Sequence, residues 1–232
     1  MSDVSSLAIH IIPLAWAAAV SPVILSVFLV VMSLSDDPKL PGVSFYLGAI
    51  MVFLITVFIG IFLGHKLAGS DAANPTTLAS LDMFLGAVLV LLAFRNFTAK
   101  DENKGSRIFK FLQVDPEAGT FSRFRKYFVL GFIAFLTNFS SAIFILAAGR
   151  EIGIENAGFM PDAVAIIILA IITLLVIEVP LLFFLILPQK SKKLTKPINE
   201  WISSHGNIVT GLFCLFIGLL IIYDGMSKLG MV

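Results

Sequence analysis

Six long apolar runs dominate this sequence, and each has the length of a helix that crosses a lipid bilayer. Spanning a hydrocarbon core of about 30 Å takes about 20 apolar residues at 1.5 Å each. The runs are Leu7 to Ser33, Val43 to Ala68, Leu78 to Arg95, Tyr127 to Gly149, Ala163 to Pro188 and Asn207 to Ser227. They are apolar nearly all the way round, as helices surrounded by lipid are. Charged residues make up only 13% of the chain, against about 25% in an ordinary soluble domain, too few to cover a water-facing surface. Turn chemistry separates several of the runs: Asp36-Asp37-Pro38 with Pro41-Gly42, the stretch from Gly69 to Thr76 with Asn74-Pro75, and Pro161-Asp162. The expected fold is an all-α integral membrane protein of six transmembrane helices.

Basic residues set the orientation. The first, third and fifth connections hold 13 of them, among them Lys39, Arg95, Arg107, Arg123, Arg125, Lys126 and Lys190, while the other side holds 3: Lys66, Arg150 and Lys228. Both termini are therefore expected outside, with the central connection in the cytoplasm. Asn96-Phe97-Thr98 has the pattern of a glycosylation sequon but falls on the cytoplasmic side. The first residues, Met1 to Ser6, lack the basic region of a cleavable signal peptide, so the first run reads as a retained helix.

The longest interruption divides the chain into residues 1–95, a basic linker of residues 96–126, and residues 127–232. Each half holds three spans, an odd number, so homologous halves must be inverted relative to one another, a 3+3 inverted-topology repeat. One internal likeness supports this: Phe84-Leu85-Gly86 in the third run resembles Phe216-Ile217-Gly218 in the sixth.

Polar interruptions fall near the middle of the first and fourth runs, at Ser21-Pro22 and at Thr137-Asn138 followed by Ser140-Ser141. Proline removes a backbone donor, and in lipid the freed carbonyl needs another partner. Paired breaks at matching depth in inverted halves mark a transporter's binding site, so these six residues are the candidate substrate contacts. The plainer reading is a proline kink with interhelical hydrogen bonds.

Several stretches carry a resemblance that covers the chain from Leu7 to about Leu229. They are Pro13 to Pro22, Thr137-Asn138 followed by Ile145 to Gly149, Val179-Pro180 ending in Leu187-Pro188, and Trp201 with Gly218. Together they resemble the sulfolipid- or peptidoglycolipid-addressing (GAP) family of the LysE superfamily of small exporters. The resemblance implies a six-helix, inverted-repeat protein of a prokaryotic cytoplasmic membrane, associated with export or surface delivery of glycolipids or other small molecules. Where the family pattern has Asn-Pro in the fourth helix this chain has Asn138-Phe139, which leaves an intact helix open there.

Glu178, just before Val179-Pro180, lies near the middle of the fifth run. An ionisable group at that depth costs a few kcal/mol on insertion scales and commonly faces a cavity or carries protons. It is the candidate for proton coupling; the alternative is a protonated side chain bonded to a neighbouring helix. Asp82 and Asp224 fall near the outer ends of their helices and are candidates for an outward vestibule, with His10 a weaker one, whereas His65 and Lys66 read as interface anchors. Gly60 and Gly64 have the spacing that permits close helix approach, either within the chain or in a homodimer.

The cytoplasmic connections mix basic residues with aromatics, as in Phe109, Lys110, Phe111, Phe124 and Arg125, and the Lys190 to Trp201 loop is similar. That is the makeup of a segment lying on anionic lipid, so membrane lipids and a lipid-like substrate are the expected partners, and no nucleic acid. There is no GxxxxGK phosphate loop, no HExxH and no paired Cys/His spacing, so neither a metal nor another cofactor is expected. The single cysteine, Cys214, cannot run a thiol relay and reads as a buried apolar side chain. The expected function is non-enzymatic: export or flipping of a small amphiphile by alternating access. The competing reading is a non-transporting scaffold or accessory factor for envelope assembly.

Overall fold

The computed structural model describes residues 2–33, 37–68, 75–98 and 119–231. They form eight helices: α1 Ser2–Ala19, α2 Pro22–Ser33, α3 Lys39–Ala68, α4 Pro75–Thr98, α5 Thr120–Leu136, α6 Phe139–Glu155, α7 Phe159–Ile186 and α8 Pro188–Lys228. Four stretches, in α3, α4, α7 and α8, are long and apolar enough to cross a membrane. The number rises to six if α1 with α2, and α5 with α6, each form one bent span. Large apolar side chains such as Phe58, Phe62, Phe84, Phe94 and Phe216 point outward, a surface that only lipid suits. The chain is a multi-pass membrane protein.

Helix α3 lies along both α5 and α6, α1 packs on α7 and α6, α2 contacts α8, and α4 pairs most extensively with α8. Close approach of backbones holds these pairs. A Cβ at Gly60 would stand 2.6 Å from the Leu146 carbonyl oxygen, and one at Gly64 would run into the Arg150 carbonyl. The glycine spacing in α3 thus serves packing inside the chain, against α6. Gly86 of α4 and Gly218 of α8, the two matching glycines of the internal likeness, face one another: a Cβ on either would lie within 3.0 Å of the other's carbonyl oxygen. Between α2 and α3, Phe28 and Phe45 meet edge to face at 5.3 Å, a favourable arrangement of ring quadrupoles. Cys214 is buried, as expected.

Two boundaries differ from the sequence reading, each for a local reason. The fourth span does not end at Gly149. Arg150 and Glu151 stay helical because their charges are paired, and α6 stops at Asn156, which takes the left-handed conformation (φ 44°) ahead of Gly158. The Lys190 to Trp201 segment is helix and not loop. Pro188 opens α8 at a position where its missing donor does no harm, and the Ser191 and Thr195 hydroxyls bond carbonyls of Leu187 and Ser191. Trp201 is exposed and stacks on His205, while the side chains at 190, 192, 193 and 196 lie outside the described residues. The fourth helix is broken despite having no proline. The bend between α5 and α6 is 75°, larger than the 52° between α1 and α2. Most of the central basic segment, including Lys100, Lys104, Arg107, Phe109, Lys110 and Phe111, also lies outside the described residues.

Candidate functional site

The first break is a helix start written in two residues. Ser21 takes the position before α2 and Pro22 the first helical one, a combination that suits a helix N-terminus. The Ser21 hydroxyl oxygen accepts from the Ile24 amide at 3.3 Å. Because Pro22 has no N–H, the Ala18 carbonyl loses the donor an unbroken helix would give it. Ser141, from α6, donates its hydroxyl to that oxygen at 2.7 Å. The orphan left by one break is satisfied by a side chain from the other.

The second break depends on Asn138. Its backbone leaves the helical region (φ −86°, ψ 75°), and its side chain is saturated by its surroundings. The amide nitrogen donates to Ser21 Oγ at 2.8 Å and to Ser141 Oγ at 2.6 Å, and Oδ1 accepts from Ser140 Oγ at 3.1 Å. An Asn amide has two N–H donors, so the nitrogen is fully used. Four of the six predicted contacts, Ser21, Asn138, Ser140 and Ser141, therefore form one network. Ser21 and Ser141 are buried, and Asn138 and Ser140 partly so. The other two stand apart: Pro22 shapes the break without a polar contact, and Thr137 is exposed with its hydroxyl folded back on the Ile133 carbonyl of α5.

A second polar cluster lies where α6 and α8 finish. Asp82 of α4, buried to 1% exposure, accepts through Oδ1 from Arg150 Nη2 and through Oδ2 from Lys228 Nζ at 2.9 Å. Arg150 Nη2 also reaches Glu151 Oε1 at 2.5 Å, and Lys228 Nζ reaches Asp224 Oδ2 at 2.6 Å. The result is an alternating chain of charge: Glu151, Arg150, Asp82, Lys228, Asp224. All five residues and His10 line a partly open cavity of about 490 Å³. Its remaining wall is apolar, with Leu14, Leu85, Ala147, Ile217 and Ile221 among its members. Arg150 is itself buried, yet its Nε and Nη1 find no hydrogen-bond partner among the described residues.

Asp82 and Asp224, singled out from the sequence as vestibule candidates, thus sit together on this cavity. Arg150, Glu151 and Lys228 were missed. Arg150 and Lys228 entered the sequence argument only as charges that set topology. The available signal was Arg150 following four small or apolar residues at the end of Ile145 to Gly149, a position that becomes interior once the helix continues past it.

Glu178 occupies a third position. Its Oε1 accepts from the Tyr46 hydroxyl of α3 at 2.5 Å, and it is partly buried. Tyr46 and Glu178 both lie roughly two turns from the ends of α3 and α7 that carry Lys39 and Ile186, on the far side of the breaks from the charged cavity. Among the described residues no cluster of His, Cys, Asp and Glu has the geometry to hold a metal ion.

Helices long and apolar enough for lipid, two bends joined by a shared polar network and a charged cavity at one end define a polytopic helical membrane protein with interrupted helices. Residues 11–227 match the family described as Sap, sulfolipid-1-addressing protein, and the chain belongs to that family. No curated protein and no solved structure matches it.

Proposed function

We propose that the chain is a six-span, 3+3 inverted-repeat transporter that exports or flips a small amphiphile, a glycolipid among the candidates, by alternating access. Family membership supports a lipid-handling role, since the family is described by the addressing of a sulfolipid. The inverted repeat is supported by the exchange of partners: α3 packs on the bent pair α5 and α6 of the other half, α7 packs on α1, and α4 pairs with α8. Gly86 and Gly218, from the matching motifs, stand opposite each other, as residues beside a two-fold axis would. The basic connections argue for outward termini, and the family resemblance for a prokaryotic cytoplasmic membrane.

The observation that carries the reading is the joined pair of breaks. Asn138 Nδ2 donates to Ser21 Oγ, and Ser141 Oγ donates to the Ala18 carbonyl, so the two bends are held by a few short polar contacts between halves. Such contacts average about 0.6 kcal/mol each in a membrane protein, weak enough to exchange during a rocking motion of one half against the other. Glu178, bonded to Tyr46, is the carboxyl group that would couple the motion to a proton gradient in this reading. The chemistry is non-enzymatic in this reading, and a homodimer is compatible with it.

The test is flux of labelled amphiphiles through proteoliposomes. Asn138→Leu is expected to lower flux while the protein remains folded and monodisperse, and Glu178→Gln to remove its dependence on a proton gradient. A second reading, a non-transporting scaffold, is favoured by the completeness with which Ser21, Asn138 and Ser141 satisfy one another. Absence of flux for every lipid and amphiphile tried would select it.

A further inference from the structure

We infer that the cavity between α1, α4, α6 and α8 is a binding site for an amphiphile head of no net negative charge that carries both hydrogen-bond donors and acceptors, as a hydroxylated head does. The inference deepens the reading of the chain as an amphiphile carrier and rests on it. Three observations set the ligand's chemistry. The walls are mostly apolar, as sites for organic ligands are, and about 490 Å³ falls in the range of pockets that enclose a small molecule. A head with the first part of its chain fits there; a whole lipid does not.

The second observation is charge. Glu151, Asp82 and Asp224 are three acids against two bases, Arg150 and Lys228, so the chain of ion pairs holds one negative charge in excess. Both carboxylate oxygens of Asp82 are engaged, and each cation already has two carboxylates. A sulfate or phosphate entering here adds a further negative charge to a cluster whose two cations are each already compensated by two carboxylates. The third observation excludes a simple amine. Among the described residues Arg150 Nε and Nη1 have no partner, in a residue 7% exposed, and a buried guanidinium nitrogen without an acceptor is an unmet demand for oxygen. Hydroxyl groups answer both sides, accepting from Arg150 and donating to Glu151 and Asp224. For a sulfated lipid, the cavity therefore takes the hydroxylated part of the head and not the sulfate.

The experiment uses full-length protein in lipid nanodiscs and an octyl glucoside bearing a photoreactive diazirine, with labelled positions found by peptide mapping. Labelling is expected on the cavity-lining parts of α1, α4, α6 and α8. Unlabelled octyl glucoside should compete about tenfold better than octyl sulfate or octylammonium, the difference that roughly one charge-assisted contact makes. Arg150→Gln should lower cavity labelling severalfold. Because that variant disturbs a buried ion pair, Leu85→Phe, which narrows the cavity and leaves every charge in place, is the companion and should lower it likewise. Equal or better competition by octyl sulfate, labelling confined to other surfaces, or full labelling in Leu85→Phe would each overturn the assignment. Loss of cavity labelling with flux intact in proteoliposomes would end this inference alone; absent flux with specific labelling would end the transport reading and leave the site.

Discussion

Two polar clusters tie the halves of this molecule together, and they are built on opposite principles. At the breaks, the partners are neutral and short: one amide, three hydroxyls and a freed carbonyl, with Asn138 fully used and the Ala18 oxygen satisfied. At the end where α6 and α8 finish, the partners are charged and long, and Arg150 Nε and Nη1 have no partner among the described residues, beside a cavity. The neutral cluster solves a problem that the backbone itself creates, the loss of a helical donor at Pro22. The charged cluster repairs no broken helix: Asp82 and Arg150 lie within α4 and α6, and Lys228 is the last residue of α8. A polar group that no helix end calls for, with bonding capacity to spare, points to a ligand; a polar group that repairs a helix end points to shape.

The comparison predicts unequal sensitivity to mutation. The largest effect is expected at Asp82, the one acid of the cluster bonded by both cations. Asp82→Asn removes the central charge and leaves Arg150 buried against Glu151 alone, and breaking a buried pair from one side costs about 3–5 kcal/mol. Thermal unfolding in detergent should show a large drop for this variant. The same change at Asp224, whose side chain is 60% exposed, should cost no more than about 1 kcal/mol, as exposed ion pairs do. Equal losses at the two positions would mean that the cluster does not have a buried centre.

Next in size is the neutral cluster. Ser141→Ala removes the donor to the Ala18 carbonyl and one acceptor of Asn138, leaving a buried carbonyl unpaired at a cost of about 1–3 kcal/mol. Thr137→Val, one residue before Asn138, is expected to change stability by less than about 0.5 kcal/mol, because its hydroxyl is exposed and bonds only its own helix. Unfolding measurements on both separate the residue that joins the halves from the one that merely precedes it. If Thr137→Val proved the more damaging, the network drawn around Asn138 would be wrong.

The neutral cluster was largely legible in the sequence, and the charged one was not, for a physical reason. Ser21-Pro22 and Thr137-Asn138 are anomalies within apolar runs, so hydropathy alone exposes them. Arg150, Glu151 and Lys228 sit at the ends of such runs, where charge is ordinary and serves to fix topology. Only the tertiary approach of α4 to α6 and α8 shows that Arg150 and Lys228 meet on one carboxylate. The break at Asn138 teaches a related point. Without proline, a helix there was open to being continuous; at the bend the Asn138 side chain bonds Ser21 of the other half, 117 residues away, as well as Ser141, 3 residues on.

The smallest predicted effect concerns the pair that belongs to neither cluster. Tyr46 donates to Glu178 between α3 and α7, on the opposite side of the breaks from the charged cavity. If the bond only fastens two helices, a double-mutant cycle of Tyr46→Phe with Glu178→Leu should return a coupling of about 0.6 kcal/mol, the average for such contacts in membranes, and flux should follow stability. If Glu178 carries protons, Tyr46→Phe should leave the dependence of flux on a proton gradient in place with an altered pH profile, while Glu178→Gln abolishes it. The decisive quantity is thus not the size of the coupling but whether Tyr46→Phe and Glu178→Gln diverge in flux: a Gln side chain can still accept from the Tyr46 hydroxyl, whereas a proton can be carried only by the carboxyl group.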